Sequence, residues 1–309
     1  MQAFANILIG VDLSQGERVA SAVCQAIHSA VCLAAESSAS VTFVSILAKA
    51  VPQSAMDALG SLAHYAEKTG VRATVEPHPQ PMAADIIRLV QHNHHDLVVV
   101  GATNEKGLVS ALFGNEITRL IHTCPCPVWL AVPGVEARPR SILIASDLTP
   151  MSANALRLGL RLARTLNVRA HLLHVVDYPL DHHWTTGDRE PESIQYHREV
   201  REAAAQALRE QLALIPDSDA PRVELHVIGR SGVPEFEIVQ YIREHRIDLA
   251  VMGDSARRGL LAGLFGNTTD WVLPELSCSL LVVKPSDLPA SPAAGSVAAA
   301  PRFQEPTSA

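Results

Sequence analysis

Two stretches of this 309-residue chain are copies of one another, and that repetition limits the fold more than any other feature. In the second half the apolar run Leu249-Ala250-Val251-Met252 ends in Gly253, opening a segment, 253–268, that carries Arg257 and Arg258 and closes on Gly266-Asn267-Thr268. The first half holds a degraded copy at 101–115, with Gly107-Leu108 matching Gly259-Leu260 and Leu112-Phe113-Gly114-Asn115 matching Leu264-Phe265-Gly266-Asn267. A strand ending in glycine, a small-residue loop and a glycine opening a helix together expose backbone amides and favour negative charge, which suits phosphate. Two copies of that pattern in a chain of this length require one architecture used twice, each copy able to bury its own core.

The sequence around each loop sets that architecture. Asn6-Ile7-Leu8-Ile9-Gly10-Val11-Asp12 is a continuous aliphatic run closed by an aspartate, as in a strand covered on both faces. A turn at Leu13-Ser14-Gln15-Gly16 leads into a helix with Val19, Val23, Ile27, Ala30 and Ala34 at three- and four-residue intervals. Strands at 40–46, 71–76, 96–101 and 128–132 then alternate with helices at 56–68, 83–91 and 115–122. Two prolines and a glycine in 133–140 can continue neither element, and 135–140 is the linker.

Ser141-Ile142-Leu143-Ile144-Ala145-Ser146-Asp147 restarts the pattern, aspartate included. A helix at 151–166, a strand at 170–177, an insertion at 178–191, a charged helix at 192–213, a strand at 223–229, a helix at 235–245 and strands at 248–253 and 280–284 complete it. Regular alternation of strand and helix makes the fold class α/β, with two tandem doubly wound five-stranded parallel-sheet domains at 1–134 and 141–285. The tail 286–309, dominated by Pro, Ala and Ser, is expected to be disordered.

The net charge of −7 and a pI near 6.0 argue against nucleic acid as a partner. Met1 to Asn6 passes into the first strand without the basic and apolar regions of a signal peptide, and no apolar run reaches the roughly 18 residues of a membrane helix. A cytoplasmic protein with no membrane partner is the expectation. The five cysteines are odd in number and sit mostly in apolar sequence, which suits reduced core thiols.

From Phe4 to Lys284 the chain resembles two fused copies of the universal stress protein (UspA) superfamily, whose fold is adenine nucleotide alpha hydrolase-like. The fingerprint carrying the resemblance is Gly, two residues, Gly, nine residues, Gly, then Ser or Thr, placed after strand four. Gly266-Asn267-Thr268 and Cys126-Pro127-Val128-Trp129 further resemble the two-domain subgroup called universal stress protein E. The resemblance implies strand order 3-2-1-4-5 in each domain, with the fifth strands pairing across a pseudo-twofold axis. Such pairing makes an intramolecular pseudo-dimer, to which a further homodimer would be an extension, and covers two open sheet edges.

The resemblance also implies a stress-response protein that binds a small ligand, ATP, and acts through protein partners rather than by turnover. In nucleotide-binding members the adenine sits by the aspartate after strand one and the backbone of strand two, and the ribose and phosphates sit on the glycine loop. The matching cofactor-binding positions are Asp147, Val175, Gly253, Gly266 and Asn267, with Thr268 adjacent and Arg257 and Arg258 as the loop's cations. A Mg ion would be held by the phosphates and Asp147. Two alternatives stay open: a stress scaffold that binds no nucleotide, and a slow ATPase. No nucleophile, base and metal carboxylates gather around the loop, so no catalytic residue is assigned.

The chain departs from the fingerprint in places. Its second glycine is Asn104 in the first half and Ala256 in the second, and its terminal Ser or Thr is Asn115 and Asn267. Alanine resists the positive φ that glycine adopts readily, while asparagine tolerates it better. The first-half loop has Glu105 and Glu116 against Lys106 alone, so the second half is the favoured ligand site. There Asp254 would repel a triphosphate by about 4 kcal/mol for unit charges roughly 4 Å apart at moderate dielectric, with Arg257 and Arg258 to offset it.

Other residues carry two readings. Asp12 and Asp147 suit helix capping as well as adenine. His92, His94 and His95, and His182 with His183, lack ligand spacing, so no metal site is expected. Cys124-Pro125-Cys126 is one residue short of a redox motif and reads as structural. Trp129 and Trp271 read as core or interface. The insertion lies where ligands bind in such sheets, and both a lid and a plain surface loop fit it.

Overall fold

Ile7, Leu8 and Ile9 are all fully buried, yet Ile7 and Ile9 join one apolar cluster and Leu8 another. Successive strand side chains point to opposite faces, so an unbroken aliphatic run belongs to a sheet covered on both sides. A computed structural model shows that sheet and describes residues 3–12, 21–46, 53–76, 83–101, 114–178, 191–215, 222–229, 233–254 and 268–285. The first half runs β1 (Asn6–Asp12), α1 (Ser21–Ser37), β2 (Ser40–Ile46), α2 (Gln53–Lys68), β3 (Arg72–Glu76), α3 (Ala83–Asn93), β4 (Leu97–Gly101), α4 (Gly114–Thr123) and β5 (Val128–Ala131). The second runs β6 (Ser141–Ala145), α5 (Pro150–Leu166), β7 (Arg169–Val175), α6 (Pro191–Ala213), β8 (Val223–Ile228), α7 (Pro234–His245), β9 (Leu249–Gly253), α8 (Thr268–Val272) and β10 (Ser279–Val283).

All ten strands form one sheet in the order β3-β2-β1-β4-β5-β10-β9-β6-β7-β8. Each half has the expected order 3-2-1-4-5, parallel throughout, and the halves meet where β5 and β10 pair antiparallel with Trp129 opposite Leu281. Trp129 is 1% exposed, so the junction is core rather than a hinge. Several boundaries differ from expectation by one to three residues: α2 starts at Gln53, α3 extends to Asn93, β3 starts at Arg72 and β5 ends at Ala131. Helix ends of this kind fray, and periodicity alone does not fix them.

A repeated carboxylate clamps the start of each half. Asp96 accepts from the Ala5 and Asn6 amides at 2.7 and 2.9 Å, and Asp248 accepts from the Arg140 and Ser141 amides at 2.8 and 3.3 Å. The linker is tied down as well: Arg138 pairs with Glu36 of α1 at 3.0 Å and donates to the Leu166 carbonyl at the end of α5. All five cysteines are free thiols, as expected, but two on α1 are not core residues: Cys24 is exposed and Cys32 half-buried. Cys124, Cys126 and Cys278 are buried as expected, and burial pushes the Cys278 thiol up to about 12, which makes it inert. Among the described residues no helix is long and apolar enough to cross a membrane.

Candidate functional site

The second half opens a cleft beyond the C-terminal ends of β6, β7 and β9. From β6 the chain continues to β7 on one side, while β9 lies on the other, so this is the topological switch point where ligands enter such sheets. Ser146, Asp147, Met151, His174, Val175, Ile238, Met252, Gly253, Thr268 and Thr269 are among the residues lining a volume of about 130 Å³. That is below the roughly 300–1,000 Å³ of a whole drug-sized site.

Four of the residues expected to bind cofactor, Asp147, Val175, Gly253 and Thr268, line this one cleft. The other four, Arg257, Arg258, Gly266 and Asn267, lie outside the described residues, as do Asn104, Ala256 and, within the insertion at 178–191, residues 179–190. In the first half 102–113 lie outside them too, and so does the side chain of Asp12.

Asp147 is exposed and does not cap α5. The cap is Thr149, whose extended backbone precedes Pro150 and whose hydroxyl accepts from the Ser152 amide at 3.3 Å. Asp147 Oδ1 accepts from the Thr149 amide at 3.0 Å and from its hydroxyl, which fixes the carboxylate while Oδ2 has no hydrogen bond among the described residues. Between them Leu148 adopts φ +63°, a left-handed conformation rare for leucine, with its amide donating to Ser146 Oγ at 3.1 Å. Strain of this kind persists only where the surroundings hold it.

The β7 side supplies backbone. β6 ends at Ala145 opposite Leu173, whereas β7 continues beside β8 to Val175 opposite Ile228. The ladder alternates, and the Val176 amide already bonds Ile228, so the amide and carbonyl of Val175 face the side where β6 has ended. His174 Nδ1 lies 2.7 Å from the Ser146 carbonyl, which can only accept. The neutral ring therefore carries its proton on Nδ1 and keeps a lone pair on Nε2.

Gly253 is required by packing: a Cβ there would come within 2.8 Å of Met151 Cγ. The expectation for Asp254 is overturned. Its side chain is buried against Lys284, with Oδ1 3.5 Å from His122 Nδ1 of α4, so its charge is compensated inside the junction of the halves. Sequence reading missed Ser146, His174, Met151, Ile238 and Thr269. Strand-end alternation could have suggested His174, one residue before Val175, but nothing marked the two residues that α5 and α7 contribute. Thr269 is 1% exposed, and its hydroxyl has no partner among the described residues, a polar group that a ligand or water would satisfy.

Comparison with known proteins agrees with this fold. The Universal stress protein family model matches residues 3–132 and again 139–284. A universal stress protein E homolog of Haemophilus influenzae is 30% identical over 213 residues, 64% of each chain, so the match spans just under two thirds of that relative's length. The universal stress protein E of Escherichia coli K12 is 27% identical over 221 residues, 67% of this chain and 66% of that one. A crystal structure of a putative universal stress protein from Pseudomonas aeruginosa superposes with a TM-score of 0.67 over 93% of this chain and 95% of its own, at 20% identity, which supports the fold alone. With one family match on each half of a continuous ten-stranded sheet, the chain belongs to the universal stress protein family and carries two of its domains in tandem.

Proposed function

We propose that the second half binds an adenine nucleotide, ATP, in the cleft at the switch point, and that the protein is a cytosolic stress-response factor acting through protein partners. The observation carrying this reading is the convergence of Asp147, Val175, Gly253 and Thr268, distant in sequence, on one cleft. Asp147 Oδ2 and the Val175 carbonyl can accept from an adenine amino group, and the Val175 amide can donate to a ring nitrogen. Met151, Ile238 and Met252 supply apolar contact for the ring faces. No lysine or arginine lines the described part of the cleft, so the phosphates depend on Arg257 and Arg258 and on the loop amides. With Asp254 compensated by Lys284, both arginines remain for that task.

Melting of the full chain with and without millimolar ATP tests the reading. A binder at 100 times its dissociation constant gains about 2.7 kcal/mol. Asp147→Ala and Gly266→Val are expected to abolish the gain while leaving the unliganded melting temperature nearly unchanged. An unresponsive wild-type protein would favour the scaffold reading, and a full response in both variants would move the site elsewhere.

A further inference from the structure

A second group of functional side chains lies away from the cleft, between the outer strands of the second half and α7. His171 of β7 stands in register with Glu224 of β8, and His226 follows Glu224 by two residues, so the three share one face of the sheet. Helix α7 crosses that face and adds Tyr241 and His245, one turn apart. None of these residues lines the cleft.

Glu224 Oε2 lies 3.9 Å from His171 Nδ1 and 3.7 Å from His226 Nε2, and one donor atom from each of the three residues falls within 4.8 Å of the others. Tetrahedral zinc with bonds of about 2.0–2.1 Å has ligand atoms roughly 3.3–3.4 Å apart. The two edges at Glu224 need to contract by about half an ångström, and the edge between the two imidazoles, within 4.8 Å, must close as well. His226 Nε2 is buried and has no hydrogen bond among the described residues, with the Glu224 carboxylate 3.7 Å away. A cation there would give the buried His226 nitrogen the partner it lacks among the described residues.

We propose that His171, Glu224 and His226 form a binding site for a divalent transition ion, zinc by its donor set, with His245 completing the fourth position. Two imidazoles and one carboxylate select zinc, cobalt, nickel or copper over magnesium and calcium, which prefer oxygen ligands. His245 has its ring 5.9 Å from that of His171 and 6.0 Å from that of His226. Its Nδ1 donates to the Tyr241 carbonyl at 3.1 Å, which leaves a lone pair on Nε2 of the neutral ring. The Tyr241 hydroxyl lies 2.9 Å from the same His171 Nδ1, so an ion bound at that nitrogen takes the place of this hydrogen bond.

The test is titration of the metal-stripped full-length protein with Zn²⁺, followed by calorimetry, and with Co²⁺, followed by the visible absorption of a tetrahedral site. One ion per chain is expected, undisturbed by excess Mg²⁺. Glu224→Gln, at an exposed position that spares the fold, and His226→Gln should each weaken zinc binding by at least about tenfold. The double variant Cys124→Ser/Cys126→Ser removes the two thiols whose sulfurs lie 3.6 Å apart, and it should bind as the wild type does. Failure of the wild type to take up zinc at micromolar concentration overturns the proposal. So does unchanged affinity in both Glu224→Gln and His226→Gln, or loss of binding in the cysteine variant alone.

Discussion

Leu148 bears the clearest local cost in the second half. Its φ of +63° is forced by the turn that presents Asp147, held by the Ser146 hydroxyl on one side and the Thr149 cap on the other. Leucine tolerates this conformation at a cost, and a β-branched residue tolerates it far less. Leu148→Ile preserves volume yet should destabilise the protein by about 1–3 kcal/mol, whereas Leu148→Met should leave chemical denaturation almost unchanged. Equal midpoints for the two variants would show that the turn relaxes freely. The same turn explains why Asp147 was ambiguous in sequence. Capping and ligand binding both call for a short acidic side chain after a strand, and only the position of Thr149 separates them.

At the scale of elements, α5 shows how closely a helix must approach the sheet to position the cleft. A Cβ at Gly159 would fall 2.6 Å from Ile144 Cγ1 and 2.7 Å from Ile144 Cδ1, so this glycine is a contact surface between helix and strand. Gly159→Val should cost about 1–3 kcal/mol by overpacking, and pairing it with Ile144→Ala should recover part of that loss in a double-mutant cycle. Additive losses would mean that the two positions do not meet. Helix α7 serves two sites at once. Ile238 reaches the cleft, and Tyr241 with His245 reaches the histidine cluster one turn further on, a consequence of three- and four-residue helical spacing that joins both sites to one rigid element.

For the whole molecule, the junction of the halves holds a buried charged group. Asp254 leaves β9 into the interior, meets Lys284 just beyond β10, and faces His122 from the other half. Removing one member of a buried pair strands the other charge, so Lys284→Met should destabilise by about 3–5 kcal/mol. Lys284→Met combined with Asp254→Leu should restore most of that stability, since replacing both partners leaves no uncompensated charge. A double variant no more stable than Lys284→Met would show that the pair is not the origin of the effect. Trp129, packed at the same junction, ties this chemistry to the apolar core, so the two halves are expected to unfold as one unit.

The sequence by itself determined the α/β class and the repeat, which local periodicity encodes, whereas the strand order and four of the residues around the cleft were what its resemblance to the family implies. It could not determine where Asp254 points. A charge beside a glycine loop reads as solvent-facing, and only the tertiary structure brings Lys284, thirty positions later, against it. Nor could it assemble His171, Glu224 and His226 into one cluster. Their ligand spacing exists across two neighbouring strands, where hydrogen-bond register rather than sequence separation decides which side chains meet.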